Sequence, residues 1–261
     1  MKNKALKNIF IGLVFIFLYL PIIILVIYSF NSSKMNIIFE SFTFDWYKSL
    51  FKNKDLLEAF NNTIIIATSS TIISTIIGTI SAVGLNKYNF PFKKLIMKLL
   101  YIPIVIPEIV LGISLLSIYT LMKLELGMFT LILSHIAFSI PFVIVSVRSS
   151  LTPAVKTYEE AASDLGAGPF KTFFEITLPS IMPGVISGAT LALTLSLDDV
   201  VISYFNAGPS SNTLPLKIYS MIKTGITPDV NALSSLILLF VIIILTTSVI
   251  IQSRKVVKKY V

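Results

Sequence analysis

The uncharged stretches of this chain come in membrane-sized lengths. Residues 8–33, 59–86, 126–147 and 230–253 hold no Asp, Glu, Lys or Arg. Residues 99–122 hold only Glu108, and residues 176–216 hold only Asp198 and Asp199. About 20 mostly apolar residues cross a bilayer core as a helix. The pattern therefore predicts six transmembrane helices, near 9–30, 61–84, 97–121, 128–147, 181–204 and 232–253. Lys2, Lys4 and Lys7 precede the first apolar run, as in a signal peptide. That run is too long for an h-region and no small-residue cleavage pattern follows it, so it reads as an uncleaved span.

Composition moves the picture in the same direction. Of 261 residues, 55% are hydrophobic and 13% charged, and the mean hydropathy is +0.88. A soluble domain carries about 25% charged residues. The expectation is an all-α, multi-pass protein of the cell membrane, with residues 1–261 forming a single transmembrane domain. Cysteine is absent, which removes disulfides and thiol metal sites. The net charge of +8 fits Lys and Arg in cytoplasmic loops better than a nucleic-acid partner. Six spans put both termini on one side. If that side is the cytoplasm, inner segments hold 14 of the 21 basic residues and outer segments hold 7, which favours cytoplasmic termini. Sizeable segments then lie outside at about 31–60 and 205–231, and inside at about 148–180.

The inner loop has its own pattern, "YEEAASDLGAGPFKTFFEITLPSIMPG" over 158–184. Pro153 suits a helix start, and "TYEEAASDL" is a good helix former stopped by the Gly-Ala-Gly-Pro run at 166–169. A second short helix, "FKTFFEITL", is expected to end at Pro179. Ala161, Ala162, Gly166 and Gly168 allow close backbone approach, and Phe170, Phe173 and Phe174 want a pocket.

Glu160-Ala161-Ala162, Gly166, then Ile176, Leu178 and Pro179 resemble the EAA loop of binding-protein-dependent ABC importer permeases. The resemblance implies the type I importer (MetI-like) fold, with residues 153–180 as the loop that couples to a cytoplasmic ATPase. No G-x4-G-K-[ST] phosphate loop occurs in the chain, so that ATPase is expected on a separate subunit. The stretches "LTLSLDDVVISYF" and "FTFDWYKSLF" narrow the resemblance to the polyamine (spermidine/putrescine) permeases of this family. What that implies is an importer with a second permease subunit (PotB-like), two ATPase subunits (PotA-like) and an extracytoplasmic polyamine-binding protein (PotD-like). It implies no cofactor, no metal and no catalytic residue on this chain.

The acids within the spans invite a positive cargo. A mid-helix charge costs roughly 2.5–3.5 kcal/mol on insertion scales and usually faces a bundle interior or a watery path. Glu108, Asp198 and Asp199 lie within spans, while no Lys or Arg lies deep in any of them, so internal ion pairs are not expected. Ser187, Thr190, Thr194 and Asp198 share one helical face, which aims Asp198 into a path. Asp199 lies about 100° away and is expected against a neighbouring helix or backbone. Pro103 and Pro107 should kink the third span, with Tyr101, Glu108, Gly112 and Tyr119 on one face suited to a methylene chain with ammonium groups. A straight rise puts Glu108 about 15 Å beyond Lys98, near mid-membrane. Trp46, beside Asp45, is read either as an interfacial anchor or as a ring over the outer mouth. His135 is read as a hydrogen-bonded packing residue.

Three other functions fit less well. An importer of another cationic or small solute keeps every feature except the cargo. An intramembrane enzyme would use Glu108, Asp198 and His135, but one His and no Cys make poor metal ligation. A scaffold or sensor subunit would bind an ATPase without carrying cargo.

Overall fold

The computed structural model describes residues 2–33, 38–224, 228–239, 242–243 and 246. The described residues are almost wholly helical, and the one strand-like pairing among them is an isolated bridge between Asn31 and Phe42. The chain divides into two compact units, Met1–Leu57 with Ile218–Val261, and Glu58–Lys217.

In the first unit, α1 (Lys2–Tyr28) has apolar side chains exposed along its length, from Leu6 and Phe10 to Ile27. At 1.5 Å per residue it is about 40 Å long, enough to cross a bilayer. Its exit is pinned by Asn31, a buried side chain that donates to the Ile38 carbonyl at 2.7 Å and accepts from the Glu40 N–H at 2.9 Å. Phe30, Phe42, Phe44 and Tyr47 stack around this turn, with ring centroids 4.9–6.1 Å apart. The Tyr47 hydroxyl lies 2.6 Å from Ser29 Oγ, at the start of the short helix α2 (Asp45–Leu50). The second part of the unit carries most of α12 (Leu214–Thr224) and α13 (Pro228–Leu239).

The second unit contains most of α3 (Lys54–Lys87), then α4 (Lys93–Leu99), α5 (Ile102–Val105), α6 (Glu108–Leu121) and α7 (Met128–Ser150). Next come α8 (Pro153–Asp164), α9 (Pro169–Thr172), a π turn (Phe173–Thr177), α10 (Leu178–Leu197) and α11 (Val201–Asn206). Its core is the seam of α7 and α10, where Val143, Ile144, Val147, Ile181 and Ala192 pack with Ala82 and Leu85 of α3 and Val155 of α8. Small residues let the helices meet closely. A Cβ on Gly184 would stand 2.9 Å from the Ser146 carbonyl oxygen, and one on Gly188 would stand 3.2 Å from Val143 Cα. Helices in lipid associate through such close backbone contact, because apolar burial alone gives no preference for protein over lipid tails.

Among the described residues, four helices, Leu6–Tyr28, Lys54–Lys87, Met128–Ser150 and Pro169–Leu197, are long and apolar enough to span a membrane. The pair Lys93–Val105 and Glu108–Leu121 is apolar enough only when taken together and is bent by 110° at its break, the form of a broken span or a re-entrant loop. The expected sixth span, 232–253, lies largely outside the described residues, as does the basic tail from Arg254 to Lys259.

Two expectations need correction. The third span is not a kinked helix but a broken one. Pro107 forces Ile106 into an extended conformation (ψ 139°) and cannot donate to the preceding turn, so the chain turns sharply at 106–107. The second loop helix does not end at Pro179. It runs through the π turn into α10, with Pro179 just past the π turn.

Candidate functional site

Asp198 and Asp199 sit where α10 stops and α11 has not begun. Ser187, Thr190 and Thr194 line one exposed face of α10, and Asp198 continues it. Thr190 and Thr194 satisfy themselves by donating to the carbonyls of Ile186 and Thr190, each at 2.9 Å. The opposite face, Ile181, Gly184, Gly188, Ala192 and Ser196, is buried. Asp198 is therefore an exposed carboxylate on a polar stripe, and no Lys or Arg among the described residues pairs with it.

Asp199 has the opposite environment. It is 8% exposed, and its two carboxylate oxygens accept from the N–H groups of Ile202 at 3.0 Å and Ser203 at 2.7 Å, opening α11. His135 Nε2 on α7 lies 3.5 Å from Asp199 Oδ2. Asp199 thus lies against backbone and a neighbouring helix, as its helical position suggested, and the internal partner that the absence of Lys and Arg did not lead one to expect is the His135 imidazole. His135 also meets Ser196 Oγ through Nδ1 at 2.6 Å and Ser203 Oγ through Nε2 at 3.3 Å, and Ser196 Oγ lies 3.2 Å from Ser70 Oγ on α3. Nearby, Asn206 donates to the Gly112 carbonyl at 3.2 Å, tying α11 to α6. Ser196, Asp199 and Ser203 recur at intervals of three and four, a helical-face signal that the charge pattern obscured.

The remaining candidates do not form the single stripe expected of a continuous helix. Tyr101 is exposed just before α5, and Glu108 is exposed in the first turn of α6, across the 110° bend. The depth reckoned for Glu108 along a straight helix does not apply. Gly112 and Tyr119 are buried on α6, and the Tyr119 hydroxyl lies 3.0 Å from Ser134 Oγ on α7, so that ring is committed to packing. Trp46, in the other unit, donates its indole N–H to the Asn31 carbonyl at 2.6 Å and leaves part of its ring accessible. Asp45 beside it is paired with Lys48 at 3.2 Å. The hydrogen bond from Lys48, reinforced by Thr43, holds the Asp45 carboxyl below its ordinary range.

A second surface lies at the other end of α10. α8 starts at Pro153 and stops where Gly166 takes a left-handed conformation (φ 81°), as the glycine run suggested. Tyr158, Ala161, Ala162 and Leu165 then face Glu175, Ile176, Pro179 and Ser180 across an open groove of about 540 Å³. Glu160 lies on the exposed side of α8, 3.4 Å from Lys156, and Leu178 is half-buried at the start of α10. Leu165 is 90% exposed and Phe170 81% exposed, an apolar rim that water does not favour. Phe173, by contrast, is half-buried against Phe174. Glu159 accepts a short hydrogen bond from the buried Thr177 hydroxyl, joining α8 to the π turn below α10.

Residues 74–260 match the family described as binding-protein-dependent transport system inner membrane component. The chain is similar to the spermidine/putrescine transport system permease protein PotC of Escherichia coli strain K12, at 43% identity covering 91% of this chain and 90% of the relative. PotC of Haemophilus influenzae is 39% identical, covering 91% of this chain and 93% of the relative. The putrescine transport system permease protein PotI of Escherichia coli strain K12 is 40% identical, covering 86% and 82%. The fold matches a crystal structure of a bacterial ABC transporter involved in the import of the acidic polysaccharide alginate, with a TM-score of 0.73 over 94% of this chain and 95% of that one, at 14% identity. It also matches a bacterial alginate ABC transporter in complex with an alginate pentasaccharide-bound periplasmic protein, with a TM-score of 0.69 over 94% and 91%, at 20% identity.

Proposed function

The chain belongs to the binding-protein-dependent transport system inner membrane components, and from that premise we propose that it is the permease subunit of an ATP-driven importer of spermidine or putrescine. The observation that carries the cargo class is Asp198: a carboxylate on an exposed polar stripe, at the break that ends the apolar helix α10, without a Lys or Arg partner among the described residues. A linear polycation supplies the missing counter-charge, and its methylene segments suit the apolar surroundings. Glu108 and Tyr101, exposed on α6 and before α5, extend the route, and Trp46 offers a ring for an ammonium group on the outer side. Asp199 and Tyr119 take the supporting part, holding the helix break and the α6–α7 seam.

The groove of Ala161, Ala162, Ile176 and Pro179, rimmed by Leu165 and Phe170, is the surface for a separate ATPase subunit, with the turn at Gly166 beside it, Leu178 at the start of α10 and Glu160 on the neighbouring exposed side of α8. Cytoplasmic termini follow from the bias of Lys and Arg, and residues 1–261 act as one permease with 153–180 as its coupling loop. The complete importer pairs the chain with a second permease, two ATPases and an extracytoplasmic polyamine-binding protein. The test is ATP-dependent uptake of radiolabelled spermidine by that complex in proteoliposomes. Uptake that excess putrescine suppresses and an anionic oligosaccharide does not is expected. A complex that hydrolyses ATP and moves another solute, but neither polyamine, overturns the reading.

A further inference from the structure

We infer that His135 is a positioning residue that fixes the direction of the Asp198 carboxylate by fastening both sides of the helix break. This rests on the reading of Asp198 as part of the cargo route.

The break occupies three residues between α10 and α11, and the imidazole reaches across it from α7. Nδ1 meets Ser196, two residues before Asp198, at 2.6 Å. Nε2 faces Asp199, the residue after Asp198, at 3.5 Å and Ser203 at 3.3 Å. Ser70, His135 and Ser203 are 0% exposed and Ser196 is 3% exposed, so water does not substitute for these contacts.

Asp199 as a carboxylate only accepts, so Nε2 faces it as a donor. Nδ1 and the Ser196 hydroxyl share a hydrogen bond, and Ser196 Oγ lies 3.2 Å from Ser70 Oγ, so the chain of contacts closes on α3. A side chain that only filled space would satisfy none of these groups. Removing the imidazole leaves a buried carboxylate and a buried hydroxyl short of partners, and the cheapest relief is for the 198–200 segment to turn. That turn carries Asp198 with it.

The test is a double-mutant cycle on the assembled complex, read as the spermidine concentration that half-saturates uptake, with complex yield and basal ATP hydrolysis measured alongside. The variants are His135→Leu, His135→Gln, Asp198→Asn and the two doubles. A misdirected Asp198 carboxylate loses part of its contact with the cargo, so His135→Leu is expected to raise half-saturation about five- to tenfold. His135→Gln keeps an N–H for Asp199 and is expected to recover most of that loss. In the Asp198→Asn background, His135→Leu is expected to add nothing. If His135→Leu fails to assemble, Ser196→Ala removes one contact of the ring and takes its place in the cycle. If Asp198→Asn weakens uptake while the His135 or Ser196 variants leave half-saturation unchanged, or multiply its effect, this inference falls and the route stands. If Asp198→Asn itself changes nothing, the route falls and takes the inference with it.

Discussion

Neighbouring acids in this chain owe their roles to what surrounds them. Asp199 is buried and receives two backbone N–H groups and an imidazole, whereas Asp198, one residue earlier, faces outward on a hydroxyl-lined stripe. Burying an ionised carboxylate without donors would cost several kcal/mol, which explains why the buried member is the one with partners. On the outer segment, Asp45 is tuned by contact in the open. Its pKa is held below the ordinary 3.8, chiefly by the Lys48 hydrogen bond. A depressed carboxylate pKa contributes order above the unfolded value and loses it as pH falls through the folded one. Lys48→Met should therefore raise the Asp45 pKa toward its ordinary value, as read by carboxyl carbon NMR of a selectively labelled protein. An unchanged pKa would contradict the pairing.

At the scale of elements, α10 ties the two surfaces together. Its buried face packs on α7 through Gly184 and Gly188, its exposed face carries the polar stripe, and its base continues from α9 through a π turn. Gly184→Val would drive a side chain into the Ser146 carbonyl, and overpacking of this kind costs about 1–3 kcal/mol, to be read as lowered resistance to unfolding in detergent. Thr177→Val would remove the hydroxyl that holds Glu159 of α8 to the turn below α10. Hydrogen bonds to charged groups contribute about 1.5–3 kcal/mol, so the variant should hydrolyse ATP while delivering several-fold less cargo per ATP. A ratio equal to that of the unmodified complex would show that movement passes through other contacts. Much of this layout was legible from charge-free stretches, because crossing lipid demands them. The glycine turn at Gly166 and the exposed face of Asp198 were legible too, from local backbone chemistry and helical period. The break at Ile106–Pro107 shows in the sequence only as a proline kink, since a proline sets the local interruption but tertiary packing sets its angle. The link from His135 to Asp199 was not legible, because it joins α7 to the segment after α10 across 64 residues of chain and a lone histidine gives no pattern that points to a partner.

As a whole molecule, the chain offers half of what an importer needs. It belongs to a family of inner membrane transport components, has helices able to span a bilayer, and presents an apolar-rimmed groove at 158–180 that nothing within the described chain covers. The polar stripe that ends at Asp198 and the groove of Ile176 and Pro179 lie at opposite ends of α10, so one helix joins the two surfaces. The most direct measurement of the central claim is spermidine uptake by the reconstituted importer carrying Asp198→Asn, with Asp198→Glu as the charge-preserving control. Loss of one charge-assisted contact to a cation is worth about 1.5–3 kcal/mol, so Asp198→Asn should raise the half-saturating spermidine concentration about tenfold or more, while Asp198→Glu retains most of the affinity. Equal half-saturation in all three complexes, at equal assembly, would contradict the account.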